Sequence, residues 1–192
     1  MALTIYIKNM VCPRCVAAVE GAMKEVGVEP LYIHLGEVIL REVMPAEKRV
    51  LLASRLKGLG FELLDDVRQR QIERIKSLII QEVQRLDGHK LALSTLLSKE
   101  LNREYSQLSK LFSETEGMTI EHYAILQRIE KVKELLTYNE LSLGEIADTL
   151  GYSSVAHLSA QFKKVTGLTP SAFKAHGGQL RKPLDGLSDD KV

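Results

Sequence analysis

The sequence has 192 residues, 45% of them hydrophobic and 27% charged, which is ordinary for a globular protein of one large or two small domains. With 26 lysines and arginines against 25 acidic residues, its overall charge gives no general attraction to nucleic acid or to an anionic membrane. No apolar run is long enough to span a membrane, the N-terminus lacks a secretory signal pattern, and two cysteines are too few for a disulfide-stapled scaffold. We therefore expect a cytoplasmic protein with no membrane partner.

The first 64 residues alternate between strand and helix patterns. The segment "LTIYIK" (3–8) alternates apolar and polar side chains, and a helical period begins at Pro13 and ends at Gly27. Two further strand patterns, "PLYIHL" and "VILREV", then a helix after Pro45 and a short strand, "FELL", complete the order β-α-β-β-α-β. This order predicts an α+β domain of the ferredoxin-like type over residues 1–64.

A connecting helix is predicted over residues 65–87, with Asp65 or Asp66 as its N-cap and Gly88 as its stop. Its apolar stripe consists of Ile72, Ile75, Leu78, Ile79, Ile80, Val83 and Leu86. A stripe of this size is too apolar for a linker that is free in solvent. We therefore expect the helix either to dock on a neighbouring part of the chain or to pair with a second copy in a homodimer.

Residues 88–176 contain an internal repeat with an offset of fifty residues. The segment "LSKLFSETEGMTIEHY" (108–123) aligns with "LSAQFKKVTGLTPSAF" (158–173), and a short helix pattern precedes each copy. Each copy therefore predicts a helix, a short turn, a second helix and a glycine stop, which is the helix-turn-helix pattern. One long helix joins the two units of this all-α domain. The polar, Gly- and Pro-containing tail, 177–192, is expected to be disordered.

The second helix of each unit has a face that could contact DNA. In the second unit the candidate contacts are short or can donate hydrogen bonds, and none is acidic: Ser153, Ser154, His157, Gln161 and Lys164. In the first unit the candidates are Arg103, Glu104, Gln107 and Lys110. Acidic groups are unfavourable beside phosphates, so we expect the second unit to anchor a DNA complex and the first to add specificity. A helical bundle that binds no DNA is the alternative.

The segment "LSLGEIADTLGYSSVAHLSAQFKKVTGLTPSAFK" closely resembles the DNA-binding domain of the AraC/XylS family of bacterial transcription regulators. The residues that carry the resemblance are Ile146-Ala147, Leu150-Gly151-Tyr152, Phe162-Lys163, Gly167 and Thr169-Pro170. The segment "RIEKVKELL" resembles the linker helix of that family, whereas the first unit departs from the pattern by having Leu97 where the second has Ala147. The resemblance implies recognition helices at 103–114 and 153–165 that bind double-stranded promoter DNA, with RNA polymerase as a further partner.

Both cysteines lie in "NMVCPRC" (9–15), between the first strand and the first helix. Two soft thiolates suit a thiophilic ion such as Cu(I), or Zn(II), and the helix N-terminus is expected to lower the thiol pKa. With Gly60-Phe61, this motif resembles that of the heavy-metal-associated domain, Gly-Met-x-Cys-x-x-Cys, although Asn9 replaces the glycine. The resemblance implies one metal ion held by Cys12 and Cys15. A redox pair and inert cysteines in a domain retained for contacts are the alternatives.

The sequence thus predicts a bacterial, cytoplasmic DNA-binding regulator with a metal-responsive N-terminal domain. It has no Gly-rich phosphate loop, no Gly-x-Ser-x-Gly motif and no cluster of His and carboxylates, so we expect no enzymatic activity. Three other functions stay open. The N-terminal domain could be an interaction or redox module, the chain could traffic metal while its helical half docks a partner, or it could be a thiol oxidoreductase.

Overall fold

The structure, a computed structural model, describes residues 3–64, 66–85, 87–88 and 92–175. The chain divides into two compact units, Met1–Leu78 and Ile79–Val192. The tail predicted to be disordered, 177–192, lies outside the described residues. Within the described part of the chain, no helix is both long and apolar enough to cross a membrane.

The first unit is built on a small antiparallel sheet. Its elements, in chain order, are β1 (Leu3–Lys8), α1 (Pro13–Glu25), β2 (Pro30–His34), β3 (Glu37–Leu40), α2 (Ala46–Gly58) and β4 (Glu62–Leu64). The strands lie in the order β2-β3-β1-β4, and each neighbouring pair is antiparallel. The sheet agrees with the predicted α+β class, and its assignment to the ferredoxin-like type stays a prediction.

The core of this unit lies on one face of the sheet. Because side chains alternate along a strand, Ile5 and Ile7 of β1 face the core while Tyr6 points to the other face. The helices α1 and α2 contribute Met23 and Leu56, which are fully buried in the same cluster. Burial of each large apolar side chain stabilises the fold by roughly 1.5–3 kcal/mol. The core therefore holds β1 and the start of α1 in fixed positions.

The connecting helix is α3 (Val67–Gln84). Asp66 is its cap, since the Oδ1 atom accepts the backbone N–H groups of Arg68 at 2.6 Å and Gln69 at 3.0 Å. The other predicted cap, Asp65, lies outside the described residues, and so does Leu86 at the end of the predicted stripe.

The apolar stripe of α3 is buried within a single chain, and its described members are Ile72, Ile75, Leu78, Ile79, Ile80 and Val83. Two contacts dock the first half of the helix on the sheet of its own unit. The Arg70 guanidinium lies 5.6 Å from the centre of the Tyr6 ring, and Arg74 Nη1 lies 2.5 Å from Glu37 Oε2. A homodimer formed through this stripe would first have to uncover it.

The second unit is helical and follows the predicted repeat. Its described helices are α4 (Leu93–Leu101), α5 (Tyr105–Glu116), α6 (Ile120–Tyr138), α7 (Leu143–Thr149), α8 (Val155–Thr166) and α9 (Pro170–Ala175). The first residues of α4 and α7, of α5 and α8, and of α6 and α9 are all fifty positions apart. The helices α5 and α8 both end at a glycine with positive φ, 71° at Gly117 and 77° at Gly167, a conformation that glycine adopts without strain.

The two recognition helices begin two residues later than the predicted 103 and 153, because the residues before them are extended. Glu104 has φ −62° and ψ 132°, and Ser154 has φ −168° and ψ 162°. The turns that precede these helices also differ. The left-handed residue is Asn102 in the first helix-turn-helix unit and Gly151 in the second helix-turn-helix unit, so the fifty-residue offset does not hold within the turn.

Candidate nucleic-acid interface and cysteine site

The N-terminus of α8 presents three of the candidate DNA contacts, Ser153, Ser154 and His157. The Ser154 hydroxyl accepts the backbone N–H of His157 at 3.1 Å, which caps the helix. The hydroxyl of Ser153 lies 3.0 Å from Nδ1 of the His157 ring, and both side chains are exposed. Because a helix N-terminus carries a partial positive charge, this end of α8 favours the approach of phosphate groups.

Tyr152 lies behind these residues and is only 6% exposed. Its ring meets the His157 ring edge-on, at a centroid distance of 5.4 Å and an angle of 82°. The hydroxyl donates to Gln161 Oε1 at 2.8 Å. Burial raises the pKa of the Tyr152 phenol, so the hydroxyl keeps its proton near neutral pH and remains a donor.

Arg128 of α6 holds Tyr152 from the other side. Its guanidinium lies 4.2 Å from the centre of the Tyr152 ring and donates to the carbonyl of Leu150. Burial lowers the pKa of Arg128, and the neighbouring Tyr152 acts in the opposite direction. From the sequence, Tyr152 was identified only as part of a family pattern, and no contact was predicted for it. Its spacing of five and nine residues before His157 and Gln161 was the available signal.

The exposed face of α8 is broader than the predicted set, and its members are Val155, Ala156, His157, Ala160, Lys163 and Lys164. It contains no acidic side chain. Of the predicted contacts on this helix, Gln161 is half-buried, and its amide oxygen already accepts from Tyr152. The pattern-based face missed Ala156, Ala160 and Lys163, although these positions lie opposite the buried stripe.

The first helix-turn-helix unit has both basic and acidic side chains on the exposed face of α5. The predicted contacts Arg103, Glu104, Gln107 and Lys110 are all exposed. Lys110 Nζ lies 3.9 Å from Glu114 Oε1, and a surface pair of this kind contributes roughly 0.3–0.5 kcal/mol, so it can open at little cost. The carboxylates of this face repel the phosphates of DNA. This is in line with the prediction that the second helix-turn-helix unit supplies more of the electrostatic attraction.

The two cysteines converge at the start of α1. Cys12 is the N-cap residue, Cys15 lies in the first turn, and their Sγ atoms are 3.3 Å apart. Both are half-buried free thiols. Burial raises the pKa of the Cys15 thiol, and the hydrogen bond between the two thiols adds to this effect. The expectation that the helix N-terminus lowers the thiol pKa is therefore wrong for Cys15, because desolvation outweighs the backbone N–H groups around it.

Asn9 ties the cysteine loop to the segment that precedes β4. Its φ of 71° lies in the left-handed region, and its Nδ2 atom donates to the carbonyl of Gly60 at 3.0 Å. The neighbouring Met10 is 2% exposed and belongs to the core, so its sulfur is packed with apolar groups. The Asn9 side chain thus connects the two segments, 9–15 and 60–61, that carry the resemblance to the heavy-metal-associated domain.

The donor set fits a soft ion better than a structural zinc ion. Two thiolates this close can share one ion, and soft ligands select Cu(I). Among the described residues there is no group of three or more His, Cys, Asp and Glu side chains that could hold a metal ion. Structural Zn(II) sites take four protein ligands, of which this pair would supply two.

Comparison with known proteins shows which proteins the helical unit is similar to. Residues 97–176 match a family described as "Helix-turn-helix domain". The Msm operon regulatory protein of Streptococcus mutans is 32% identical over 78 residues, which are 41% of this chain and 28% of that protein. An uncharacterized HTH-type transcriptional regulator of Staphylococcus aureus is 37% identical over 84 residues, 44% of this chain and 11% of that protein. The chain thus spans little more than a quarter of these curated relatives at most.

Solved structures also resemble the chain. The C-terminal domain of AraT, a response regulator from Geobacillus stearothermophilus, has a TM-score of 0.47 and 26% identity, covering 59% of this chain and 87% of that one. The C-terminal domain of the response regulator yesN from Fusobacterium nucleatum has a TM-score of 0.46 and 29% identity, covering 53% of this chain and 95% of that one.

The second unit of the chain therefore contains a helix-turn-helix domain similar to those of bacterial transcription regulators. Both relatives are named as regulators, which agrees with the expectation that this chain is not an enzyme. The family match does not extend to the first unit, and the resemblance of residues 1–64 to the heavy-metal-associated domain stays a prediction.

Proposed function

We propose that this chain is a bacterial, cytoplasmic transcription regulator of the AraC type that binds promoter DNA in a sequence-specific way. The observation that carries the proposal is the exposed, acid-free face of α8 within a helix-turn-helix domain. In such domains the second helix enters the major groove, where side chains reach the base edges. The names of the relatives, an operon regulatory protein and a transcriptional regulator, support the same function.

The residues of α8 divide the work of binding between base edges and phosphates. His157, at the N-terminal end, can bond a base edge, whereas Lys163 and Lys164 in the last turn can neutralise phosphates. Gln107 of α5 would read a second groove about one helical turn, ~34 Å, away. RNA polymerase would be a further partner of a regulator bound at a promoter.

Binding measurements on the full chain separate base-edge contact by His157 from phosphate contact by Lys164. His157→Ala should weaken binding by roughly 1–3 kcal/mol and relax the preference at one base pair. Lys164→Ala should weaken binding similarly on all sequences and reduce the salt slope by about one. The control is Lys57→Ala, which removes an exposed charge from the first unit. If His157→Ala and Lys164→Ala both behave like this control, α8 is not the anchoring helix.

We further propose that the regulator responds to a thiophilic metal, with Cys12 and Cys15 as ligands of one Cu(I) ion. The distance of 3.3 Å between the sulfur atoms and their half-buried position support this role. Cu(I) titration of the reduced protein against a competing chelator should show one tight site. The Cys12→Ser/Cys15→Ser variant should lose it, and equal affinity in both proteins would remove the metal proposal.

The same sulfur distance also permits a redox role, so the two must be separated. A redox pair would form an internal disulfide with loss of two thiol hydrogens under mild oxidation. It would also change the DNA affinity in a way that dithiothreitol reverses, with no metal present. Tight Cu(I) binding by a chain that binds no DNA would instead favour metal trafficking.

A further inference from the structure

Tyr152 lies between the long helix α6 and the second recognition helix, α8, and contacts residues of both. It follows the left-handed Gly151 and precedes α8, and it is buried while Ser153 and His157 beside it are exposed. Its ring is fixed by the Arg128 guanidinium of α6, which lies 4.2 Å from the ring centre. Because Arg128 also donates to the Leu150 carbonyl, the residues before α8 are tied to α6 at two points.

The ring of Tyr152 restricts the imidazole of His157. The two rings pack edge to face, and the Ser153 hydroxyl approaches Nδ1 at 3.0 Å, so the imidazole is held at two points. Within the described part of the chain, Nε2 of this ring has no protein partner. An exposed side chain that is already held in one orientation loses less rotamer freedom on binding than a mobile one. The contacts thus present Nε2 to a ligand in a fixed direction.

The hydroxyl of Tyr152 restricts a second side chain of the same helix. It donates to Gln161 Oε1 at 2.8 Å, so the amide plane is fixed and its NH₂ group remains as the donor. A fixed donor matches the acceptors of guanine, adenine and thymine in the major groove, whereas cytosine offers only an amino donor. Tyr152 therefore acts on His157 through its ring and on Gln161 through its hydroxyl.

The internal repeat provides a comparison within the same chain. Because the offset does not hold within the turn, Tyr152 corresponds in the first helix-turn-helix unit either to Asn102, fifty residues earlier, or to Arg103, which follows the left-handed Asn102 as Tyr152 follows Gly151. Both residues are exposed. Fifty residues before His157 the first helix-turn-helix unit has the exposed Gln107. The first recognition helix thus has no aromatic side chain at the position that supports His157. The support of a base-contacting side chain by Tyr152 is therefore specific to the second helix-turn-helix unit.

We propose that Tyr152 is a positioning residue that determines the sequence specificity of α8, with its ring orienting His157 and its hydroxyl orienting Gln161. The proposal rests on the DNA-binding function proposed above. It assigns specificity to a residue that need not touch DNA itself.

Two substitutions in the full chain separate the ring from the hydroxyl. Tyr152→Leu removes both, and Tyr152→Phe removes the hydroxyl alone. For each variant, sites are selected from random-sequence DNA, and the affinity is then measured for every single-base change in the selected site. His157→Ala and Gln161→Ala, alone and combined with the Tyr152 variants, complete the double-mutant cycles. Tyr138→Phe, at an exposed tyrosine of α6, is the control.

Tyr152→Leu should reduce discrimination at the base pair that His157→Ala affects, by about 5- to 100-fold, and should add nothing there once His157 is alanine. Tyr152→Phe should leave that base pair unchanged. It should relax only the base pair that Gln161→Ala affects, above all by admitting cytosine. Tyr138→Phe should match the wild type.

Three results would overturn the proposal. The first is an equal loss of affinity on all sequences for Tyr152→Leu, which is the outcome of a purely structural role. The second is an effect of Tyr152→Leu at the base pair of His157 that persists in full after His157→Ala, or an effect of Tyr152→Phe that persists in full after Gln161→Ala. If Tyr152→Leu does not fold, a Tyr152→Phe profile identical to the wild type is the third. A wild-type chain without base preference would refute the DNA-binding function itself, whereas the three results above leave that function standing.

Discussion

Asn9 supports the cysteine loop through both its backbone and its side chain. Asn9→Gly keeps the positive φ of 71° and loses only the hydrogen bond to Gly60, so it should lower the free energy of unfolding by about 1 kcal/mol. Asn9→Ala should cost roughly 1 kcal/mol more, because a β-carbon is strained in the left-handed region. Urea denaturation of the two variants measures both values, and equal stability would mean that the backbone conformation is not maintained.

Glu121 provides a test of stability against pH. The hydrogen bond from Tyr105 lowers the pKa of this carboxyl group below its ordinary value. Its folded pKa is then below its unfolded pKa, so the stabilisation is present above the unfolded value of about 4.3 and is lost as the pH falls through the folded value. Glu121→Gln should therefore lower Tm at pH 7 and make little difference in strong acid. A Tm difference that grows as the pH falls would contradict the assigned direction.

At the scale of elements, α6 differs from an amphipathic surface helix because charged side chains are buried in it. Lys133 Nζ lies 2.5 Å from Glu130 Oε1, and these side chains are 6% and 4% exposed. Removing one partner of a buried ion pair costs roughly 3–5 kcal/mol because the remaining buried charge loses compensation, whereas replacing both with apolar residues is often neutral. Glu130→Leu should therefore destabilise the unit far more than Glu130→Leu/Lys133→Leu. Thermal unfolding of both variants decides this, and equal losses would show that the pair is not coupled.

The connecting helix gives the second prediction at this scale. Ile79 is fully buried in a single chain, so Ile79→Lys should destabilise the protein by several kcal/mol through an unpaired buried charge. The matched control is Val67→Lys, on an exposed residue of the same helix. Sedimentation of the wild type and both variants tests the alternative. A loss of dimer mass with unchanged stability would mean that the stripe is an interface between chains.

Helices and strands could be predicted from the sequence where their signal lies in neighbouring residues. Tertiary contacts between side chains could not be predicted in this way. The fifty-residue repeat predicted the spacing of the recognition helices, because Gly117 and Gly167 end α5 and α8 in the same way. The beginnings of these helices were placed two residues early. Serine is a preferred N-cap residue, so Ser154 carried a sign of the helix start that the prediction did not use, whereas Glu104 carried no such sign. The raised pKa of Cys15 was missed because burial depends on the packed fold.

The candidate sites show the same limit. The cysteine pair was visible as a motif, but the bond from Asn9 to Gly60 joins residues 51 positions apart. The contact of Arg128 with Tyr152 also depends on tertiary packing, because α6 and the turn before α8 meet only in the folded unit. Periodicity identifies which face of a helix is exposed. It does not identify which exposed side chains are held in place by buried ones.

At the scale of the whole molecule, the proposed regulator links two chemistries in one chain. If metal binding at Cys12 and Cys15 controls DNA binding, Cu(I) should change the affinity for a selected site by at least about 5-fold, the lower end of typical allosteric coupling. The Cys12→Ser/Cys15→Ser variant should bind the same site with an affinity that Cu(I) does not change. Fluorescence anisotropy at fixed salt measures both proteins, and an equal response to Cu(I) in both would contradict metal sensing through these cysteines.

The proposed function requires the helix-turn-helix domain to bind DNA in a sequence-specific way. Selection of binding sites from random-sequence DNA by the full chain, at physiological salt, tests it most directly. We expect an enriched motif whose two half-sites lie about one helical turn, ~10 base pairs, apart, because two recognition helices enter successive major grooves. The half-site whose base preference relaxes in His157→Ala belongs to α8. Absence of any enriched motif, or binding that falls equally on all sequences, would contradict the account.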